Sequence, residues 1–269
     1  METSIAFLGG GNMARALIGG LLQAGRSACA VTVADPNDAA RQAASADFGV
    51  RVTASNSEAL DGADVVVLAV KPQIMPAVLA EMAEMLSSEP LVISVAAGIT
   101  LARLERELGS SLALVRAMPN TPALYGAGMT GMVANAAVDR AGRQLAEDIL
   151  AATGQTLWLE DEALMDVVTA VSGSGPAYFF ALTEQLALAG ERAGLSAAAA
   201  AQLARQTAFG AGLMMVESGL APAELRMRVT SPGGTTQAAL ERLGEDGFER
   251  LVGRAVSAAI QRGRELGKD

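Results

Sequence analysis

The sequence contains no histidine, and Lys71 and Lys268 are its only lysines. The lack of histidine excludes the Ser-His and Cys-His nucleophile systems, the most common general acid–base group and the usual imidazole ligands of zinc. Any chemistry must therefore use hydroxyl groups, carboxylates, backbone N–H groups, Lys71 or a cofactor that brings its own reactivity. We expect no metal site.

Aromatic residues and cysteine are also scarce. Phe, Trp and Tyr make up 3% of the chain, and the net charge is −9, so neither base stacking nor attraction to nucleic acid is expected. The single cysteine, Cys29, excludes an internal disulfide and suits a reducing compartment. The N-terminus lacks the features of a signal peptide, and no apolar run free of charges reaches membrane-spanning length. We therefore expect a cytoplasmic protein without nucleic-acid or membrane partners.

A glycine-rich motif lies between the first predicted strand and the first predicted helix. Gly9–Ala14 reads Gly-Gly-Gly-Asn-Met-Ala, which fits the G-x-G-x-x-A pattern of dinucleotide-binding turns in its required context. Gly9 permits the turn, Gly11 lets a pyrophosphate approach, and Ala14 allows the helix to pack closely on the strand. Asp35, at the end of the second predicted strand, has the spacing of the acidic residue that binds an adenosine ribose.

Apolar runs of strand length alternate with helical segments through the first half of the chain. This pattern predicts a mainly parallel sheet covered on both faces, with ligands beyond the carboxyl ends of its strands. Val70–Pro72, Ala96–Gly98 and Met118–Pro122 follow strands at that edge. Lys71 either faces a cofactor or an anion there or is an ordinary solvated lysine. For Met118–Pro122 the alternative is a rigid loop bracketed by prolines. The predicted strands are Ser4–Gly9, Ala30–Ala34, Val50–Thr53, Val65–Val70, Leu91–Val95, Leu112–Ala117, Gly128–Asn135 and Gln155–Leu159.

From Asp161 onward the strand patterns stop and the sequence is helical. Ser196–Ser218 is apolar nearly all round, and so small a domain cannot bury such a helix alone, so a partner subunit would cover it. The alternative is a central helix wrapped by the others. We therefore predict two domains, residues 1–160 and residues 161–269. The predicted helices are Glu162–Val171, Pro176–Ala193, Ser196–Ser218, Pro222–Val229, Thr235–Leu243 and Gly247–Leu266.

A second glycine-rich turn, Ser231–Thr236, precedes one of these helices. We expect the backbone N–H groups at Gly233, Gly234 and the helix start to be unpaired beside the positive end of the helix dipole. Such a turn can bind a carboxylate or a phosphate. The hydroxyls of Thr235 and Thr236 flank it, so one small anionic molecule could be held and oriented there. The alternative is an ordinary capped helix after a turn.

Together these motifs resemble those of the Δ1-pyrroline-5-carboxylate reductase family. The segments that carry the resemblance are GGGNMA, VLAVKP, SVAAGI, MPNTP, SGSGPAY and VTSPGGTTQAAL, in order over essentially the whole chain. The resemblance implies an α/β fold with an N-terminal Rossmann-like dinucleotide-binding domain, followed by an all-helical dimerisation and substrate domain. It implies reduction of the cyclic imine 1-pyrroline-5-carboxylate to L-proline by NADPH or NADH, the last step of proline biosynthesis. It also implies at least a dimer, often within a ring of dimers.

The resemblance further implies roles for individual residues. Thr236 would lie near the ring nitrogen of the substrate as the catalytic residue, and Glu162 would approach the substrate. A threonine hydroxyl is too weak an acid to protonate the nitrogen alone, so Thr236 would orient the substrate or relay a proton through water. The predicted substrate-binding residues are Glu162, Ser231, Gly233, Gly234, Thr235 and Thr236. The predicted cofactor-binding residues, among which Asn56 and Ala97 rest on the resemblance alone, are Leu8, Gly9, Gly10, Gly11, Asn12, Met13, Asp35, Asn56, Ala69, Val70, Lys71, Pro72 and Ala97.

The choice between NADPH and NADH stays open. Members of the family commonly use NADPH, yet a carboxylate at Asp35 repels a 2′-phosphate and accepts from a free ribose hydroxyl. Arg41 lies too far along the chain to compensate. We therefore expect substantial activity with NADH.

Two other functions fit parts of the sequence. A β-hydroxyacid dehydrogenase shares the predicted architecture, but it is expected to carry a catalytic lysine in the helical domain, which has none before Lys268. A nucleotide-sensing module without catalysis would keep the fold, but it gives no reason for SPGGTT to be intact beside SGSGPAY.

Overall fold

The protein folds into two compact units. The structure is a computed structural model and describes residues 2–86 and 89–267. Unit 1 comprises Met1–Gly173 and Ala259–Asp269, and unit 2 comprises Ser174–Ala258. Among the described residues, no helix is both long and apolar enough to cross a bilayer.

These units differ from the predicted domains, 1–160 and 161–269, at both ends of the helical region. The segment after residue 160 joins unit 1 because Met165 is fully buried in one of its two core clusters. The end of the last helix joins unit 1 because the Leu266 carbonyl oxygen lies against Gly98, only 3.2 Å from where a Cβ would be. Long-range packing of this kind leaves no composition change in the sequence.

Unit 1 is built on an eight-stranded sheet of order β3-β2-β1-β4-β5-β6-β7-β8. The first six strands run parallel, β7 is antiparallel to β6, and β8 is parallel to β7. The order of the first six is that of a Rossmann-like fold. All eight predicted strands are confirmed, each with small differences at its ends. The strands are β1 (Ile5–Leu8), β2 (Val31–Ala34), β3 (Arg51–Thr53), β4 (Val65–Leu68), β5 (Leu91–Ser94), β6 (Leu114–Met118), β7 (Gly128–Ala134) and β8 (Gly154–Trp158).

The central strands are apolar throughout because helices cover both faces of the sheet. Successive side chains of a strand point to opposite faces. In β1, Ile5 and Phe7 accordingly lie in one core cluster, and Ala6 and Leu8 lie in the other. The helices of this part are α1 (Asn12–Gln23), α2 (Asp38–Phe48), α3 (Asn56–Leu60), α4 (Met75–Met85), α5 (Leu101–Leu108) and α6 (Arg140–Ala151).

The segment predicted as one helix, Glu162–Val171, is broken into three pieces. A 3₁₀ turn, Glu162–Leu164, leads into the short helix α7 (Met165–Val168) and then into a π-helix, Thr169–Gly173. Pro176 has no N–H and cannot donate to the carbonyl of Ser172, four residues earlier. Nδ2 of Asn120 donates to that carbonyl instead, at 3.0 Å. The proline and the amide of a distant loop together explain the irregular helix.

Unit 2 is entirely helical, and its apolar side chains are largely exposed. In α9 only Ala200 and Ala204 are buried, whereas Phe209 is 63% exposed and Val216 is 68% exposed. The prediction of an apolar helix is confirmed, but the alternative in which other helices of the same chain wrap it is wrong. The helices are α8 (Gly175–Arg192), α9 (Ala197–Glu217), α10 (Pro222–Arg228), α11 (Thr235–Glu245) and α12 (Phe248–Leu266), of which the part from Ala259 belongs to unit 1.

Candidate active site

The predicted cofactor loops of unit 1 begin at one edge of the sheet. Leu8 pairs with Ala34 and Leu68, and Leu68 pairs with Ser94, so β1, β2, β4 and β5 end side by side. The strand order reverses between β1 and β4, which is where an open α/β sheet forms its ligand-binding crevice. The loops after these two strands, at Gly9 and at Ala69–Pro72, flank that crevice.

The glycines of the first loop have different functions. Gly9 has φ +100°, and a Cβ there would lie 2.7 Å from the carbonyl oxygen of Ala69, so only glycine fits. At Gly11, no heavy atom lies within 4 Å of the position that a Cβ would occupy, so the space beside it is open. Gly11 also precedes α1 without a capping side chain, and the N–H groups of Asn12 and Met13 have no acceptor among the described residues. An uncapped helix start beside open space fits a pyrophosphate.

Asp35 holds the glycine-rich loop. Its Oδ2 accepts from the N–H of Gly10 at 2.8 Å, and its Oδ1 accepts from the N–H of Asn37 at 2.8 Å. Arg41 is closer to this point than the sequence suggested, because its Nη1 donates to the carbonyl of Asp35 at 2.7 Å. Its separation in the sequence therefore does not keep Arg41 away from Asp35. That Arg41 does not compensate for the Asp35 carboxylate stays a prediction. The Arg41 guanidinium also pairs with Asp38, at 3.0 Å, so Arg41 stabilises the loop after β2.

The remaining predicted cofactor residues have different surroundings. Val70 lies beside the first loop, with its Cγ1 3.1 Å from the position of a Cβ on Gly9. Lys71 is exposed, and its ammonium group has no acceptor among the described residues. Ala97 is exposed in the loop after β5. The amide of Asn56, in contrast, donates to Oε2 of Glu81 on α4 at 2.7 Å.

Glu162 connects three elements of unit 1. Its Oε1 accepts from Nη1 of Arg116 on β6 at 2.7 Å and from the N–H of Leu101, at the start of α5, at 2.8 Å. Its Oε2 has no partner among the described residues. Arg116 is only 6% exposed, and sequence reasoning missed it. A charged residue inside an otherwise apolar strand was the available signal, because such a residue needs a buried partner.

In unit 2, the turn Ser231–Thr236 leads into α11 as predicted. Its unpaired N–H groups, however, lie in the first turn of α11 and not at the two glycines. Gly233 has φ +70°, and its N–H donates to Oε1 of Gln237 at 2.8 Å. The N–H of Gly234 donates to the carbonyl of Ser231 at 3.0 Å. The expectation that both glycine N–H groups are unpaired is therefore wrong. The N–H groups without an acceptor in the described part of the chain belong to Thr235, Thr236 and Gln237, the first turn of α11.

Gln237 is the residue of this turn that sequence reasoning missed. Gln237 occupies the third position of α11, from which a glutamine side chain commonly reaches back over the helix start. It accepts from Gly233 and donates through Nε2 to Glu241 at 2.7 Å, which fixes the turn to the helix. The hydroxyls of Ser231, Thr235 and Thr236 make no hydrogen bond with any described residue. The turn thus combines a fixed backbone, free N–H groups and free hydroxyls.

Known proteins match both halves of the chain. A family model described as "Pyrroline-5-carboxylate reductase dimerisation" matches residues 162–266, and one described as "NADP oxidoreductase coenzyme F420-dependent" matches residues 4–98. The pyrroline-5-carboxylate reductase of Pseudomonas aeruginosa is 51% identical over 262 residues, which cover 97% of this chain and 96% of the relative.

Solved structures agree with these matches. A pyrroline-5-carboxylate reductase from Coxiella burnetii superposes with a TM-score of 0.95 at 40% identity, covering 99% of both chains. The pyrroline carboxylate reductase of Plasmodium falciparum, solved with NADP bound, gives a TM-score of 0.86 at 32% identity over 99% of this chain and 98% of its own. The predicted resemblance is confirmed, and the chain belongs to the pyrroline-5-carboxylate reductase family.

Proposed function

We propose that the protein is an NAD(P)H-dependent enzyme that reduces 1-pyrroline-5-carboxylate to L-proline, the last step of proline biosynthesis. The observation that carries this proposal is the 51% identity with the Pseudomonas aeruginosa reductase over 97% of the chain, since this span includes both glycine-rich turns. The helix start at Gly11 and the helix start at Thr235 both offer free N–H donors, as binding a dinucleotide and a carboxylate requires.

The cofactor-binding proposal rests on the first loop. Leu8–Met13 would hold the pyrophosphate, because Gly11 leaves open space in front of the free N–H groups of α1. Ala69–Pro72 and Ala97 would line the nicotinamide side, and Asp35 and Asn56 the adenosine side. When bound, the nicotinamide supplies the hydride. NADPH and NADH are both proposed as cofactors.

The substrate-binding proposal rests on the second loop. The carboxylate of the imine would accept from the N–H groups of Thr235 and Thr236 and from the hydroxyl of Ser231. Gly233 would leave the approach open, since a Cβ there would have no heavy atom within 4 Å. Gly234 would allow the tight turn, since a Cβ there would lie 3.1 Å from the carbonyl oxygen of Ser231. A carboxylate near the N-terminus of α11 would also be stabilised by the helix dipole.

Thr236 is proposed as the residue that acts on the reacting nitrogen. An imine nitrogen is basic enough to be protonated before hydride attack, so a tuned histidine is unnecessary. The Thr236 hydroxyl would orient this nitrogen or relay a proton through water. Glu162 is proposed to approach the substrate with Oε2, since Oε1 is taken by Arg116 and Leu101.

We further propose an obligate dimer joined through unit 2. α9 exposes several large apolar side chains, among them Phe209, Leu213 and Val216. Exposed apolar surface of this kind is what a second subunit buries in permanent dimers. A ring of several dimers and a cytoplasmic location belong to the same proposal. The single thiol, on the exposed Cys29, is consistent with a reducing compartment.

The test is a kinetic assay with the imine and either NADPH or NADH, followed by the loss of nicotinamide absorbance. We expect cofactor oxidation that depends on the imine and that yields proline. A β-hydroxyacid dehydrogenase would instead act on a hydroxy acid with the oxidised cofactor, and a sensing module would bind the cofactor without oxidising it. Either of these results would refute the proposal.

A further inference from the structure

A polar cavity lies in unit 1, and neither glycine-rich turn contributes a residue to its lining. Its volume is about 390 Å³, toward the small end of the range for ligand pockets. Gln261 and Arg264 are exposed at its rim. Its walls come from the start of α5, from β6, from α7 and from the last turns of α12. The lining residues are Thr100, Arg116, Asp166, Gln261, Arg264 and Gly267.

Arg116 supplies the first argument for a ligand. A guanidinium carries five N–H donors and cannot lose its charge. Arg116 is only 6% exposed, yet its one acceptor among the described residues is Oε1 of Glu162. In that part of the chain, the fully enclosed nitrogens without a partner are Nη1 of Arg15 and Nε of Arg103. The free donors of Arg116 are therefore not enclosed by protein and open onto the cavity.

Buried charged groups in proteins are hydrogen-bonded, because leaving their donors unpaired costs considerable free energy. The cavity must therefore hold acceptors for Arg116, either water or the anionic group of a ligand.

Asp166 and Arg264 supply the second argument. Each lines the cavity, and the side chain of neither makes a hydrogen bond or an ion pair with a described residue. Glu162 already neutralises much of the charge of Arg116. The cavity thus offers guanidinium donors for a negative group and, on α7, one free carboxylate for a positive group. A simple anion would leave Asp166 as an unfavourable neighbour, whereas a molecule with both charges would use it.

We propose that this cavity binds a small α-amino acid in its zwitterionic form. The carboxylate of the ligand accepts from Arg116 and Arg264, and its ammonium group donates to Asp166. Thr100 and Gln261 provide further polar contacts at the wall. The cavity volume accommodates an amino acid, and neither turn assigned to the proposed reaction contributes a residue to it.

The cavity lies next to the loop Ala96–Gly98, which contains the predicted cofactor residue Ala97. Thr100 caps α5 by accepting from the N–H of Arg103 at 3.2 Å, and it lies just after the loop Ala96–Gly98. The carbonyl of Leu266 packs against Gly98. A ligand between Arg116 and Arg264 would therefore hold the end of α12 against this loop.

The test is isothermal titration calorimetry of the full-length protein with glycine, acetate and methylammonium as probes. We expect glycine to bind more tightly than acetate or methylammonium, since only glycine uses both charges. Asp166→Asn and Arg264→Gln should each weaken glycine binding at least tenfold. The matched control is Arg262→Gln, on the same helix but outside the cavity, which should bind glycine like the wild type.

Several results would overturn the proposal. The proposal is wrong if glycine gives no heat of binding, or if glycine and acetate bind with equal affinity. It is also wrong if Asp166→Asn and Arg264→Gln leave glycine binding unchanged. Circular dichroism of each variant checks its fold, and Arg264→Lys provides a further comparison. This variant keeps the charge and should recover part of the affinity that Arg264→Gln loses. Because the readout is binding rather than turnover, the result is independent of the reductase assay.

Discussion

The different surroundings of Gly9 and Gly11 lead to a prediction in which the smaller substitution does more damage to the fold. Gly9→Ala places a methyl group on a backbone with φ +100° and only 2.7 Å from the carbonyl oxygen of Ala69. Gly11→Val adds a larger side chain at φ −71°, where no heavy atom lies within 4 Å of the Cβ position. The first change should destabilise unit 1, and the second should mainly obstruct the cofactor.

The magnitudes follow from these two environments. An unfavourable backbone conformation costs about 1–3 kcal/mol, and overlap with a fixed backbone atom adds about 1–3 kcal/mol. The lower entropy of the unfolded alanine variant offsets up to about 1 kcal/mol. Gly9→Ala should therefore lose about 1–6 kcal/mol. The middle of this range, about 3–4 kcal/mol, lowers Tm by about 6–16 °C for a protein of this size. For Gly11→Val, the change at the helix N-cap costs about 1 kcal/mol or less.

Thermal melting without cofactor and fluorescence titration with NADPH separate the two effects. Gly11→Val should melt within about 4 °C of the wild type and bind NADPH at least tenfold more weakly, a loss of about 1.4 kcal/mol or more. Wild-type cofactor affinity of Gly11→Val would show that the pyrophosphate does not approach this glycine. A wild-type Tm of Gly9→Ala would show that the loop tolerates a side chain and that our account of the turn is wrong.

The remaining predictions concern the substrate turn, cofactor choice and assembly. Thr236→Ala should lower kcat by roughly 10- to 100-fold in the imine reduction assay, while Thr236→Ser keeps most of the activity because it keeps the hydroxyl; unchanged kcat in Thr236→Ala would leave the turn a binding site only. Gln237→Ala should raise KM for the imine, because it releases the N–H of Gly233, whereas Gln237→Glu keeps the acceptor and should raise KM less. Equal KM values for the two variants would contradict the role of Gln237 in fixing the turn to the helix. The wild type should show substantial activity with NADH, and Asp35→Ser should shift the ratio of kcat/KM toward NADPH; a wild-type preference for NADPH of several hundredfold would refute the repulsion argument. Light scattering should find at least a dimer at micromolar concentration, and a folded, active monomer would contradict the proposed role of α9.

Local sequence patterns predicted the sheet well because its strands carry their own signal. A strand buried on both faces needs a continuous apolar run, and the runs at Val65–Leu68 and Leu91–Ser94 are found as strands. The glycine of the first loop was equally readable, since a turn with positive φ between a strand and a helix requires glycine. Both features depend on residues close together in the chain.

Features that depend on distant residues were not predictable in the same way. The ion pair between Arg116 and Glu162 joins positions 46 residues apart, and no local pattern selects that partner. The π-helix before Pro176 depends on an amide from Asn120, 52 residues before Ser172. The paired N–H groups of Gly233 and Gly234 had a local signal in Gln237, but helix-dipole reasoning alone does not show which donors a side chain already occupies.

If the exposed apolar side chains of α9 form a dimer interface, the stability of the folded protein depends on its concentration. When a second subunit covers these side chains, the folded state gains free energy in proportion to the logarithm of protein concentration, and Tm rises with concentration. Dilution should then inactivate the protein without any change in its sequence. Subunits altered in a catalytic residue but unchanged in α9 would still assemble with normal ones. A cell that makes both forms would therefore contain mixed dimers, in which the altered subunit is stabilised by the normal one.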